Sequence, residues 1–205
     1  MITTARVDGE QHPDMFVIDM RDRPWDGTAG LELRRAWDGY GMAATQSHGF
    51  VLDACPAARA ASADGFARGM PVAAQLTPLL FAAVILGILD TATAAARATV
   101  APRWRQMRPY EQVAWTQGSN QAWLAEQAFA GALQAVEAGE GGMLAAARSK
   151  LLVAELSESA LGLLSQVVGG GSFSRSQPFG QWSQDVRALG FLRPPWGYAY
   201  DQLLG

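Results

Sequence analysis

The residues best placed to do chemistry lie between Gln166 and Asp185, in the run Q-V-V-G-G-G-S-F-S-R-S-Q-P-F-G-Q-W-S-Q-D. An amide side chain, Gln166, is followed closely by Gly169, Gly170 and Gly171. Such a cluster stops a helix, because glycine tolerates the backbone angles of a tight exit. Pro178 suits the start of the next helix, where its missing N–H costs little. A turn of this kind presents bare backbone N–H groups to a ligand. By composition alone it also reads as a plain corner between two helices. Other chemistry is sparse. His12 and His48 lie far apart without neighbouring cysteine and read as loop or surface residues. Cys55 is alone, so neither a disulfide framework nor a cysteine-based metal site is expected.

The elements that must position the turn change character along the chain. Residues 1–54 read as short strands: Ile2–Val7, Met15–Met20, Leu31–Trp37 and Gly49–Asp53, with a Pro- and Gly-containing loop over Asp22–Gly30. Residues 55–70 read as a small-residue linker holding an irregular connection or a short helix. From Pro71 the hydrophobic period becomes helical. Helices are expected over Pro71–Val100, Tyr110–Ala138, Met143–Val168 and Phe179–Leu189. Four apolar-faced helices with short connections argue a bundle spanning 71–205. The fold class expected is therefore α+β, mostly α. Trp115, Trp123 and Phe129 read as core rather than as stacking platforms for a ligand.

Composition narrows the function. The chain has 205 residues, is 49% hydrophobic and carries a net charge of −3 with 16 basic residues and no basic stripe. Nucleic acid is not an expected partner. The apolar run Val72–Val100 is interrupted by Gln75, Thr77, Pro78, Asp90 and Arg97, which suits a buried helix rather than a membrane span. Met1–Gly9 lack a signal-peptide pattern, so a cytoplasmic setting is the expectation. The first helix carries Leu76, Leu79, Leu80, Phe81, Val84, Ile85, Leu86, Ile88 and Leu89, more apolar surface than one bundle face hides. An oligomer is expected.

Two separated stretches resemble the acyl-CoA dehydrogenase family. Gln166, Gly169, Gly170, Phe173, Pro178 and Asp185 match the pattern of its C-terminal helices. Trp37-Asp38, Gly41-Met42, Thr45 and Ser47 resemble a stretch near the end of its middle β-domain. The match covers essentially the whole chain and only the C-terminal part of the family's length. The family's N-terminal helical domain and first β-domain strands have no counterpart in these residues. The resemblance implies FAD as cofactor, an acyl-CoA or related acyl thioester as substrate, and a homo-oligomer or a complex with a complete subunit. It also implies that Gln166, Gly169 and Gly170 contact the adenosine end of a FAD bound by a neighbouring subunit. An amide and bare N–H groups can meet adenine and ribose edges.

The catalytic base does not carry over. The family's common glutamate position falls on Arg193, and its minority position, aligned on Leu86-Gly87, falls on Thr77, with Pro78 after it. An arginine cannot abstract a proton at ordinary pH. Gln181 and Gln184 stand where the family has arginines before its aspartate, and the R-x-x-F-G of the second helix is matched only loosely near Arg108 and Tyr110. The ending Phe191-Leu192-Arg193-Pro194-Pro195 resembles a family variant ending in Phe-His-Pro-Pro, with leucine in place of the histidine. No catalytic residue is therefore assigned. Three readings follow: an acyl-CoA dehydrogenase-like flavoprotein lacking the usual base, a non-catalytic oligomerising remnant, and a flavin-dependent monooxygenase of the same fold, which needs no such base.

Overall fold

The computed structural model describes residues 1–60, 63–139, 141–192 and 195–204. Ala61 and Ser62 of the expected linker, Glu140 of the expected helix break, Arg193 and Pro194 of the motif ending, and Gly205 lie outside the described residues. The chain divides into two compact units. One comprises residues 1–39 and 43–73, and the other residues 40–42 and 74–205.

The first unit holds five short strands: β1 (Ile2–Arg6), β2 (Pro13–Val17), β3 (Leu31–Arg35), β4 (Gly49–Leu52) and β5 (Ala58–Arg59). β2 pairs antiparallel with β1 on one side and β5 on the other, while β3 and β4 form a separate antiparallel pair. Three of the four expected strands are present with their C-terminal ends trimmed, the second is shifted from Met15–Met20 to Pro13–Val17, and β5 is an addition. Two residues are too short to show alternation. β5 is pinned instead by Arg59, which bonds Glu10 and the fully buried Asp14. A buried carboxylate needs such a partner.

The second unit is helical: α1 (Ala63–Val100, of which residues from 74 on belong here), α2 (Pro109–Ala138), α3 (Gly142–Val168), α4 (Phe179–Phe191) and α5 (Trp196–Leu204). Two boundaries differ from expectation. α1 starts at Ala63, not at Pro71. Gly65, Gly69 and Pro71 read as breakers, yet the alanine-rich surroundings have high helix propensity and carry the helix through them. α5 is an unexpected fifth helix. Pro195 sits just before the helix and accepts its first bond, from the Ala199 N–H.

The core follows helical spacing. Ala82, Ile85, Leu89, Ala92 and Ala96 of α1 are buried, with Val153, Ala160, Leu161, Leu164 and Val167 of α3 and Val186 and Leu189 of α4. Small residues let helices approach closely. A Cβ at Gly118 of α2 would stand 3.5 Å from the Leu163 Cβ. α1 and α3 are apolar and long enough to cross a membrane by composition alone, a test that core helices also pass. Not all of α1's apolar surface is used inside the chain: Leu76, Leu80 and Val84, four apart on one ridge, are exposed.

Candidate functional site

The glycine turn ends α3. Gly169 takes φ +86° and ψ −166°, a region essentially reserved for glycine. Its N–H donates to the Ser165 carbonyl at 2.9 Å. That corrects the expectation of free N–H groups throughout the turn, since this donor is already used. The chain then makes a 3-10 turn over Gly170–Phe173. Buried Ser172 locks it, donating to the Gly169 carbonyl through both its N–H (3.0 Å) and its Oγ (2.8 Å). A Cβ placed on Gly170 or Gly171 would meet nothing within 4 Å, and Gln166 is exposed. The turn is thus rigid and bare on its outer side. A flat base edge fits such a surface, with the Gln166 amide supplying both a donor and an acceptor.

A second network holds the same end of α3. Arg103, in the 3-10 segment Ala101–Gln106, donates from Nη2 to the Val167 carbonyl and from Nη1 to Glu111 Oε1, each at 2.6 Å. Glu111 accepts the Arg108 N–H at 2.8 Å through its other oxygen. The Arg108 N–H and then the Arg103 guanidinium hold the Glu111 carboxyl below its usual range. Beside them the Trp104 ring meets Trp115 edge-on at 5.2 Å, and Arg97 lies over Trp115 at 5.5 Å. Neither Arg103 nor Glu111 was singled out from the sequence. A glutamate three residues into a helix is a recognisable first-turn signal, and it could have flagged Glu111.

The two motif stretches meet in space. The Met42 N–H donates to the Asp185 carboxylate across 143 residues of sequence. Gly41 is buried, and a Cβ there would stand 2.4 Å from the Gln184 carbonyl oxygen and 2.9 Å from the Ala188 Cβ. Gly41, Met42 and Asp185 therefore act as a structural joint rather than as reacting groups. In the first unit, Trp37 donates its N–H to His48 Nδ1 at 2.8 Å, and Thr45 and Ser47 share a hydroxyl hydrogen bond at 2.8 Å. His48 packs against Trp25 and Phe50 with centroids 5.6 and 5.9 Å away. It is a half-buried loop histidine, with one ring nitrogen occupied by the backbone.

One expected base position, Thr77, lies in a cleft of about 310 Å³ that it lines together with Ala74, Pro78, Met143, Ala147, Pro195, Tyr198 and Gln202. Among the described residues no carboxylate lines it. Arg193, the other base position, lies outside the described residues. Its walls are largely apolar, with the Tyr198 phenol and the Gln202 amide as polar groups. Both residues lie on α5, which the sequence reading missed, and so they were missed as well.

No family model and no curated protein sequence matches the chain. Solved structures do. KijD3 in complex with FMN and a dTDP-linked sugar is 22% identical with a TM-score of 0.71, over 98% of this chain and 53% of that one. The HsaA monooxygenase from M. tuberculosis is 19% identical with a TM-score of 0.68, over 85% and 54%. A probable acyl CoA dehydrogenase from Mycobacterium abscessus is 17% identical with a TM-score of 0.74, over 94% and 52%. The chain spans about half the length of the solved structures it matches. It has the acyl-CoA dehydrogenase fold: α+β, mostly α, with the helical bundle of that fold's C-terminal part.

Proposed function

We propose that the chain is part of a flavin-dependent oxidoreductase of the oxygen-activating kind, a monooxygenase built on the acyl-CoA dehydrogenase fold. The observation that carries this reading is that no carboxylate lines the cleft among the described residues. Dehydrogenating an acyl thioester requires a base to remove the α-proton. A threonine hydroxyl, a tyrosine phenol and a glutamine amide do not serve as that base near neutral pH. Oxygen activation makes no such demand, and the flavin, when bound, would supply the redox chemistry. The likeness to a monooxygenase, and to KijD3 bound to FMN, supports the same direction. The role of this chain's cleft is to hold an organic substrate by apolar contact and orient it through Tyr198 and Gln202.

The cofactor in this reading is FAD, with its adenosine end on Gln166, Gly169 and Gly170. Gly169 contributes its backbone shape, since its N–H is used internally. The cleft and the turn lie toward opposite ends of α3. From Ala147 to Gln166 is 19 residues, roughly 28 Å along the helix. The resemblance implies that the turn would serve the flavin of a second subunit. The exposed ridge of Leu76, Leu80 and Val84 supports assembly with another copy or with a complete subunit.

The test is spectroscopic. The purified chain is titrated with FAD and FMN, and the loaded protein is exposed without oxygen to acyl thioesters of several lengths. FAD is expected to bind more tightly than FMN, and acyl thioesters are expected to leave it oxidised. Bleaching by an acyl thioester would return the protein to the dehydrogenase reading. Failure to bind either flavin would favour the non-catalytic remnant.

A further inference from the structure

We infer that Arg103, supported by Glu111, is a positioning residue for the adenosine-recognising turn, setting the exit of α3 so that Gln166 and Gly170 can meet one ligand. The inference rests on the assignment of that turn to the adenosine end of FAD.

The argument starts from the helix end. The last four carbonyls of an α-helix lack partners within it. The Val167 carbonyl is one of these, and it lies between Gln166 and Gly169. Arg103 Nη2 occupies it at 2.6 Å. A cation there also faces the negative end of the helix dipole. On the far side of the bend, Ser172 grips the Gly169 carbonyl twice. The exit is thus held from both sides, by a guanidinium outside the turn and a hydroxyl inside it.

Arg103 can do this only because it is itself fixed. It lies in a 3-10 segment with a non-helical backbone, φ −114° and ψ 16°. Glu111, only 8% exposed, holds its other terminal nitrogen at 2.6 Å. Glu111 is in turn fixed by the Arg108 N–H at the start of α2. The position of α2 is so transmitted to the end of α3 through one carboxylate and one guanidinium. A planar fork bridging two acceptors is a task for arginine that lysine's single ammonium performs poorly. Neither residue needs to touch the cofactor.

The experiment compares two ligands that differ only beyond the riboflavin phosphate. FMN lacks the adenosine end, so its affinity reports everything except the turn. Arg103→Met is expected to weaken FAD binding tenfold or more while changing FMN binding less than twofold, with Arg103→Lys in between. Without ligand, amide hydrogen exchange over residues 169–173 should speed up in Arg103→Met. Should that variant fold poorly because Glu111 is left buried and unpaired, the double variant Arg103→Met with Glu111→Met removes the stranded charge and should show the same FAD-selective loss. Equal loss of FAD and FMN, or unchanged exchange in the turn, overturns the inference. Gly170→Val separates the two levels, since Gly170 has open space and no positive φ. If it weakens FAD binding and Arg103→Met does not, the positioning role alone is wrong. If neither variant affects FAD, or if the wild-type chain binds neither flavin, the adenosine assignment fails and the inference fails with it.

Discussion

The cleft near the start of α3 and the turn at its end have fared differently. The cleft holds no carboxylate among its described lining residues, and Thr77 stands at one position where the resemblance places a base. The turn keeps both its residues and their support. Gly169 adopts a conformation only glycine tolerates well, Ser172 locks it, and Arg103 caps the helix beneath it. A proton-transfer group can be exchanged by a single substitution with little effect on folding. A turn braced from two sides is costly to alter at Gly169, whose backbone angles suit only glycine. On the proposed reading, holding a cofactor and choosing its reaction are separable properties of this bundle.

The largest effect should come from overpacking the crossing of α3 and α4. Gly190 lies where α4 crosses α3, and a Cβ there would stand 2.9 Å from the Ala154 Cβ. Valine adds two more carbons to that contact. Gly190→Val should lower unfolding stability by about 3 kcal/mol, the upper part of the usual overpacking range. Because α5 follows directly, the cleft should lose ligand affinity as well. Chemical denaturation measures the first effect. If FAD affinity through the turn falls as much as affinity at the cleft, the two ends are not independent and the comparison breaks.

A smaller effect is expected within the turn itself. Gly169→Ala forces an L-residue into φ +86° and ψ −166° and should cost about 2 kcal/mol. Gly170→Ala, in open space without a positive φ, should change stability by less than about 0.5 kcal/mol. Thermal unfolding of the two variants side by side checks this. Equal costs would mean that the strain argument for Gly169 is wrong.

Much of this architecture was legible in the sequence, and the exceptions have physical causes. Helices α2, α3 and α4 follow from apolar spacing, because Leu161, Leu164 and Val167 recur on one face. α5 is short, nine residues, and offers too few turns for apolar spacing to reveal it. The start of α1 was hidden by Gly65, Gly69 and Pro71, whose local penalty is overcome by their context. At the site, the glycine turn was visible as composition, but the use of the Gly169 N–H was not. The Arg103 bridge joins residues 64 apart, and the Met42–Asp185 joint spans 143. Neither pairing follows from spacing along the chain.

The smallest effect concerns Lys150, the chain's single lysine, which is fully buried on α3 between Ala147 of the cleft and Ala154 beneath Gly190. Its Nζ donates to the Gly190 carbonyl, holding the last turn of α4. Burial pushes its pKa down from 10.5 to about 8. The sign follows from proton counting. Below pH 8 both folded and unfolded states carry the proton, and the buried charge costs stability. Between about pH 8 and 10.5 the unfolded chain holds more protons than the folded one, so stability rises with pH. Relaxation around the ammonium limits the gain to about 1–2 kcal/mol. The informative quantity is the difference between the wild type and Lys150→Met. The variant lacks the group and should lack this rise. Stability is read from urea midpoints at several pH values, and FAD affinity is followed alongside. Because Lys150 belongs to the cleft end, the rise should leave binding at the turn unchanged. Identical pH slopes in the two proteins would show that the lysine is not titrating in this range, and a parallel shift in FAD affinity would tie the two ends of α3 together after all.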